Sequence, residues 1–241
     1  ELGFNKTNLK AVTFGEKVAY VPEGMFDGAS ALSSVNFGNN IKWIGARAFY
    51  ETNLIDLSLP ENVDSLAEGA FAGNHVLATV KLPSSLRYLA GNCFKGSVIS
   101  EIELPESLVY FDGLQDCDSL KRVAIPDGVR EIGALGFSSC KTLREVVIGK
   151  NVECIGGSLF ENSKKVQDIY YNGTLSDWCK IDMGNQSDDS FGKNFYVKTD
   201  AGSYSTITDL VIPDDIEVVK TNTFSGLQSF NSVTIPSHVR K

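Results

Sequence analysis

Leu120-Lys121-Arg122-Val123-Ala124-Ile125-Pro126 is followed at once by Asp127-Gly128-Val129-Arg130-Glu131-Ile132-Gly133 and, four residues on, by Phe137. In the first phrase the apolar positions 1, 4 and 6 turn inward, and positions 4 and 6 carry the two-residue period of a short strand. Pro126 lacks a backbone donor and closes that strand at a fixed point. Val129-x-x-Ile132-Gly133 then supplies a second inward pair, the opposite wall. The same phrase begins again at Leu9, Leu32, Leu54, Leu77, Ile99, Leu120, Leu143, Val166, Ile207 and Phe230, in steps of 23, 22, 23, 22, 21, 23, 23, 41 and 23 residues. Such a period marks a solenoid, in which no repeat buries its own apolar face and stacking supplies the core.

Other columns keep the same register. Pro60, Pro83, Pro105, Pro213 and Pro236 repeat Pro126, and Ile41-x-x-Ile44-Gly45 and Val152-x-x-Ile155-Gly156 repeat the second wall. Phe4, Phe26, Phe49, Phe71, Phe94, Phe137, Phe160 and Phe224 form an aromatic column, with Leu114 in place of Phe in the 21-residue repeat. Each buried ring is expected to contribute roughly 2 to 3 kcal/mol by transfer from water. Leu2-Gly3-Phe4 reads as the tail of a repeat, and Phe230 opens one that stops at Lys241. The expectation is one domain over residues 1–241, cut mid-repeat at both ends. Glu1 in place of Met points to a removed leader or an excerpt of a longer chain.

Composition narrows the function classes. Apolar content of 42% and charged content of 22% suit a folded chain, and no run of about 18 apolar residues is present to span a membrane. A net charge of -8 disfavours nucleic acid, which is held by clustered Lys and Arg. From Leu120 to Lys165 eight basic residues face five acidic ones, so that stretch is +3 and the rest -11. The five cysteines show no CxxC or Cys/His spacing, and no metal or other cofactor is expected. Cys117 and Cys140 share a column of adjacent repeats, where coils about 5 Å apart would permit a disulfide. Buried free thiols are the expectation, because the position suits a small apolar side chain. His75 and His238 lie far apart with no motif around them, and GxSxG, P-loop, HExxH and paired-carboxylate phrases are missing, so no enzyme is expected. Three glycosylation sequons stand at Asn5, Asn172 and Asn185.

With LxxVxIP, VxxIG and AFxxC in one register, the chain resembles the BspA-like, or treponemal-type, leucine-rich repeats of bacterial surface proteins. The resemblance covers residues 2–240 apart from the long step. The family's Cys three residues after Phe is kept at Cys117 and Cys140, while Ala29, Thr52, Asn74, Ser97, Ser163 and Leu227 replace it elsewhere. The resemblance implies a leucine-rich repeat solenoid with a curved parallel β-sheet of about ten short strands on the concave side and irregular turns elsewhere. It also implies a secreted or surface-displayed protein used for binding and adhesion.

The step of 41 is read as an insertion over residues 170–206. Thr174 three residues before Asp177 forms a weak capping box, and Leu175, Trp178 and Ile181 recur at three-residue spacing, which predicts a short helix over 175–182. Asp200-Ala201-Gly202 reads as the turn of a hairpin between Phe195–Lys198 and Tyr204–Thr206. Gln186-Ser187-Asp188-Asp189-Ser190 lacks the alternating pattern of a calcium loop and is read as solvated. The aromatics Tyr170, Tyr171 and Trp178 serve either as an exposed platform for sugars or peptides or as a bridge across the break in the Phe column.

Outward positions of the first phrase complete the candidate binding surface: Asp56, Lys81, Glu101, Glu103, Arg122, Arg144, Glu145 and Asp168, with Tyr170, Tyr171 and Trp178. The same charges also suit cross-strand ion pairs of little energetic value. The function expected is a non-enzymatic extracellular or cell-surface module that recognises a protein or glycan through a rigid repeat surface. The alternative is a structural stalk of a larger surface protein.

Overall fold

A computed structural model describes residues 3–185, 194–199 and 201–240. The acidic run Gln186–Ser190 and Asp200 of the expected turn lie outside the described residues. Each coil of the solenoid has two strand walls and a turn corner. The second wall, built by the VxxIG phrases, is continuous through eight coils, and Val218 and Arg240 form a separate bridge beyond them. Eight two-residue strands, from Tyr20–Val21 to Asp182–Met183, pair in parallel in chain order. Gly45 shows how close these coils lie, because a Cβ there would stand 2.6 Å from the Glu23 amide nitrogen.

The first wall, built by the LxxVxIP phrases, is interrupted where one unbroken sheet was expected. Ala11–Thr13 pairs with Ser34–Asn36, Asp56–Ser58 with Thr79–Lys81, and Asp209–Val211 with Ser232–Thr234. A five-stranded sheet takes Arg122–Ala124, Glu145–Ile148, Asp168–Tyr171, Asn194–Lys198 and the antiparallel Tyr204–Thr206. Proline accounts for part of this pattern. Where Pro closes the phrase, the ladder loses a donor; where Gly149 and Asn172 stand instead, the strands run to four residues and the Asn172 amide donates to the Ile148 carbonyl at 2.9 Å.

The turn corner holds the Phe column and two left-handed residues per coil, such as Arg47 (φ 53°) and Glu51 (φ 51°). It is also a ladder. The amides of Arg47, Phe49 and Glu51 donate to the carbonyls of Glu68, Ala70 and Ala72 in the next coil at 3.0, 2.8 and 2.9 Å. Rings of Phe4, Phe26, Phe49, Phe71 and Phe94 stack with centroids 5.1 to 5.7 Å apart. The 21-residue coil continues the column in its own way. Leu114 is buried there as expected, but Phe111 of the second wall supplies the ring, 5.1 Å from Phe137. Two corner residues are missing from that coil. The Gln115 side chain replaces a lost carbonyl, its Oε1 accepting from the Asn92 amide at 3.0 Å while its Nε2 donates to Asp112 Oδ1 at 2.9 Å.

All five cysteines are free thiols. Cys140 Sγ donates to the Leu114 carbonyl at 3.0 Å, and Cys117 Sγ lies 3.4 Å from Ser97 Oγ. Polar replacements in the same column are hydrogen-bonded across coils in the same manner. Asn74 accepts from Thr52 Oγ1 and the Leu54 amide and donates to the Phe49 and Phe71 carbonyls, at 2.6 to 3.0 Å. Burial of such a group is tolerated because every donor and acceptor is met.

The long step resolves into a coil and a hairpin. Asp168–Tyr171 pairs in parallel with Asn194–Lys198, 26 residues on, and Asp182–Met183 between them closes the second wall. The helix Leu175–Lys180 replaces the usual turn, and its capping box is complete: Thr174 Oγ1 accepts from the Asp177 amide, and Asp177 Oδ2 accepts from the Thr174 amide. Asn194–Lys198 then folds back against Tyr204–Thr206 as the expected hairpin.

Candidate binding surface

Strand alternation sends every second residue of the five-stranded sheet outward, and parallel register sets those residues in rows. One row runs Arg122, Glu145, Asp168, Asn194. Arg122 Nε lies 3.3 Å from Glu145 Oε2, and Asn194 Nδ2 donates to Asp168 Oδ1 at 2.7 Å. The neighbouring row places Val147, Tyr170 and Tyr196 side by side. The Tyr170 and Tyr196 rings stack at 4.5 Å with their planes 12° apart, and Tyr204 meets Tyr170 edge-on at 5.0 Å. Tyr196 donates its hydroxyl to Asp168 Oδ1 at 3.3 Å, and Tyr204 donates to Asn172 Oδ1. Partial burial, with Asp168 next in importance, pushes the Tyr170 and Tyr196 hydroxyls above the ordinary tyrosine range. They remain neutral donors at physiological pH.

Beside these rows the missing strand pairing at the 21-residue coil leaves a groove of about 670 Å³. Glu101, Glu103 and Glu106 line one side, Lys121 and Arg122 the other, with Ile102 and Val123 between. Arg122 belongs to both groove and row. The surface therefore grades from an acidic lip through alternating charge to three clustered tyrosines.

Several expected residues fall elsewhere. Asp56 and Lys81 sit on a separate two-stranded sheet, and Arg144 is exposed at the start of its strand. Tyr171 and Trp178, expected on the binding surface, are fully buried. Tyr171 donates its hydroxyl to the Lys150 carbonyl at 3.0 Å, and Trp178 Nε1 donates to the Thr223 carbonyl at 2.8 Å. Trp178 packs between Tyr171 and Phe195, so these rings carry the core past the helix, and the bridging role is the one observed. The basic stretch is paired across coils, as Arg130 with Glu153, Lys141 with Asp118 and Lys150 with Asp127.

One set of residues escaped the sequence reading. The outward position of the second wall carries Tyr20, Trp43, Ser65, Tyr88 and Tyr110 in consecutive coils. Its signal was an aromatic just before the last apolar residue of four VxxI phrases, a column open to inspection once the repeats are aligned. Among the described residues no group of three or more His, Cys, Asp or Glu side chains converges as metal ligands. No helix among the described residues is long and apolar enough to cross a membrane.

The parallel walls, the Phe column and the left-handed corners define a leucine-rich solenoid. The chain belongs to the BspA type leucine rich repeat family, whose model matches residues 2–113, 112–180 and 196–241. Among solved structures it is similar to a leucine-rich repeat protein from Bacteroides ovatus, at 24% identity and TM-score 0.55, over 95% of this chain and 67% of that one. The leucine rich repeat protein of T. pallidum matches at 23% identity and TM-score 0.51, over 73% of both chains. These likenesses are of fold. No curated protein is similar to this chain in sequence.

Proposed function

We propose that the chain is a non-enzymatic recognition module, displayed outside the cell or at its surface, that binds a protein or glycan through the outer face of its five-stranded sheet. The observation that carries the reading is the joining of Tyr170, Tyr196 and Tyr204 to the Arg122–Glu145–Asp168 row. A scaffold that only gave reach would have no use for three tyrosines brought together from strands 168–171, 194–198 and 204–206. Clustered aromatic rings beside fixed charges supply contact area at low entropic cost and a polar rim that sets orientation. Membership of a repeat family with surface-displayed relatives supports the location.

Binding of the chain to arrays of matrix proteins and glycans tests the reading. A ligand retained by the wild type and lost by Tyr170→Ala and by Arg122→Glu supports it. Blank arrays, or binding indifferent to both substitutions, favour a stalk whose ligand sites lie in another part of the parent protein.

A further inference from the structure

The second wall carries its own aromatic row on a different side of each coil. Among the described residues five aromatic side chains count as exposed, Phe4, Tyr20, Trp43, Tyr88 and Tyr204, and three of them fall in this one row. Tyr110 is a half-buried fourth member. The parallel register sets Tyr20 beside Trp43 and Tyr88 beside Tyr110, with Ser65 on the rung between the two pairs. Neighbouring rungs of a β ladder are about 4.8 Å apart. That advance is close to the length of one unit in an extended β-linked hexose chain, so a sugar chain lying across the rungs keeps step with the rings.

The surroundings select the chemistry. In the adjoining outward row Lys42, Asp64 and Arg87 alternate in sign and are exposed, and the Arg87 guanidinium lies 5.7 Å from the Tyr88 ring centroid. An anionic polymer would meet Asp64 and Glu131, which follows Tyr110 in the same row, and a cationic one would meet Lys42 and Arg87. A neutral polyhydroxyl chain finds donors and acceptors of both kinds. Beyond the rings, Gly45, Ala67 and Ala90 leave a low floor. Exposed rings, small neighbours and charges of both signs suit carbohydrate stacking.

We infer that Tyr20, Trp43, Tyr88 and Tyr110 form a stacking track for an extended, uncharged β-linked glycan running along the solenoid axis. The track shares no residue with the Tyr170 face, and it stands or falls independently of the function proposed for that face.

The chain has two tryptophans, Trp43 and Trp178, and Trp178 is fully buried. Quenching of tryptophan fluorescence by acrylamide therefore reports Trp43. Titration with hexasaccharides of β-1,4-linked glucose, mannose and N-acetylglucosamine is expected to protect Trp43 with at least one of them. Tyr88→Ala should weaken that interaction about ten-fold, and Tyr170→Ala should leave it unchanged. Tyr20→Ala serves as a second variant, and an unaltered thermal midpoint shows that each has folded. The inference is overturned if none of the three protects Trp43 at millimolar concentration, if a heparin fragment protects it better, or if affinity ignores both Tyr20→Ala and Tyr88→Ala.

Discussion

At Asn74 one side-chain amide makes four hydrogen bonds inside the core, to groups of its own coil and of the preceding one. Asn74→Ala removes the partners of the Phe71 carbonyl and the Leu54 amide, while Thr52 Oγ1 still donates to the Phe49 carbonyl, and should cost roughly 2 to 3 kcal/mol. Urea unfolding checks this as a lower midpoint at constant slope. The next residue back has a different constraint. Gly73 holds φ +76°, and a Cβ there would meet Glu51 Cγ at 2.8 Å. Gly73→Ala is expected to lower stability by about 1 to 2 kcal/mol, with no change at the binding face. Asp112 adds a pH dependence. Burial raises its carboxyl to about 7, Glu68 and Glu131 push the same way, and hydrogen bonds from Gln115 and Tyr110 oppose them. The unfolded chain ionises near 3.9, so stability falls as pH rises from about 4 to about 7, and the loss is complete above 7. Asp112→Asn should flatten that part of the thermal-midpoint profile. A profile unchanged by the substitution would contradict the assignment. Sequence alone showed the Asn74 column as a small-residue position; it did not show how a polar residue there is satisfied, since three of the four partners lie in the preceding coil.

Among the elements, the helix Leu175–Lys180 was legible because its capping box and three-residue apolar spacing are local signals. What its Trp touches was not, because Trp178 meets the carbonyl of Thr223, 45 residues on. Trp178→Phe keeps an aromatic ring but orphans that carbonyl. It should cost about 1 to 3 kcal/mol and speed amide exchange in residues 209–223 more than in the early coils. Uniform change along the chain would contradict this linkage. The first wall shows the same limit in another form. Its strand phrases are as regular as those of the second wall, yet pairing lapses between Ser34–Asn36 and Asp56–Ser58 as well as beside the short coil, and it persists from Arg122–Ala124 onward. A phrase reports which side chains turn inward. It does not report whether two backbones then meet.

For the molecule as a whole, period and inward columns were enough to define a solenoid, because each coil gains its core only from its neighbours. The candidate site was legible in part. Arg122, Glu145, Asp168 and Tyr170 converge because they occupy equivalent outward positions of adjacent coils, and register does the rest. Tyr171 and Trp178 were misplaced because the helical coil has no sibling against which to align it. The second-wall aromatics lay in a column whose outward member was not followed from coil to coil. The recognition surface proposed here depends on tyrosines from separate strands acting as one platform. A double-mutant cycle of Tyr170→Ala and Tyr196→Ala, measured as affinity for whichever array ligand the wild type retains, tests this most directly. Stacked rings predict a coupling energy of about 0.5 to 1.5 kcal/mol; losses that simply add, or no loss from either substitution, would contradict it.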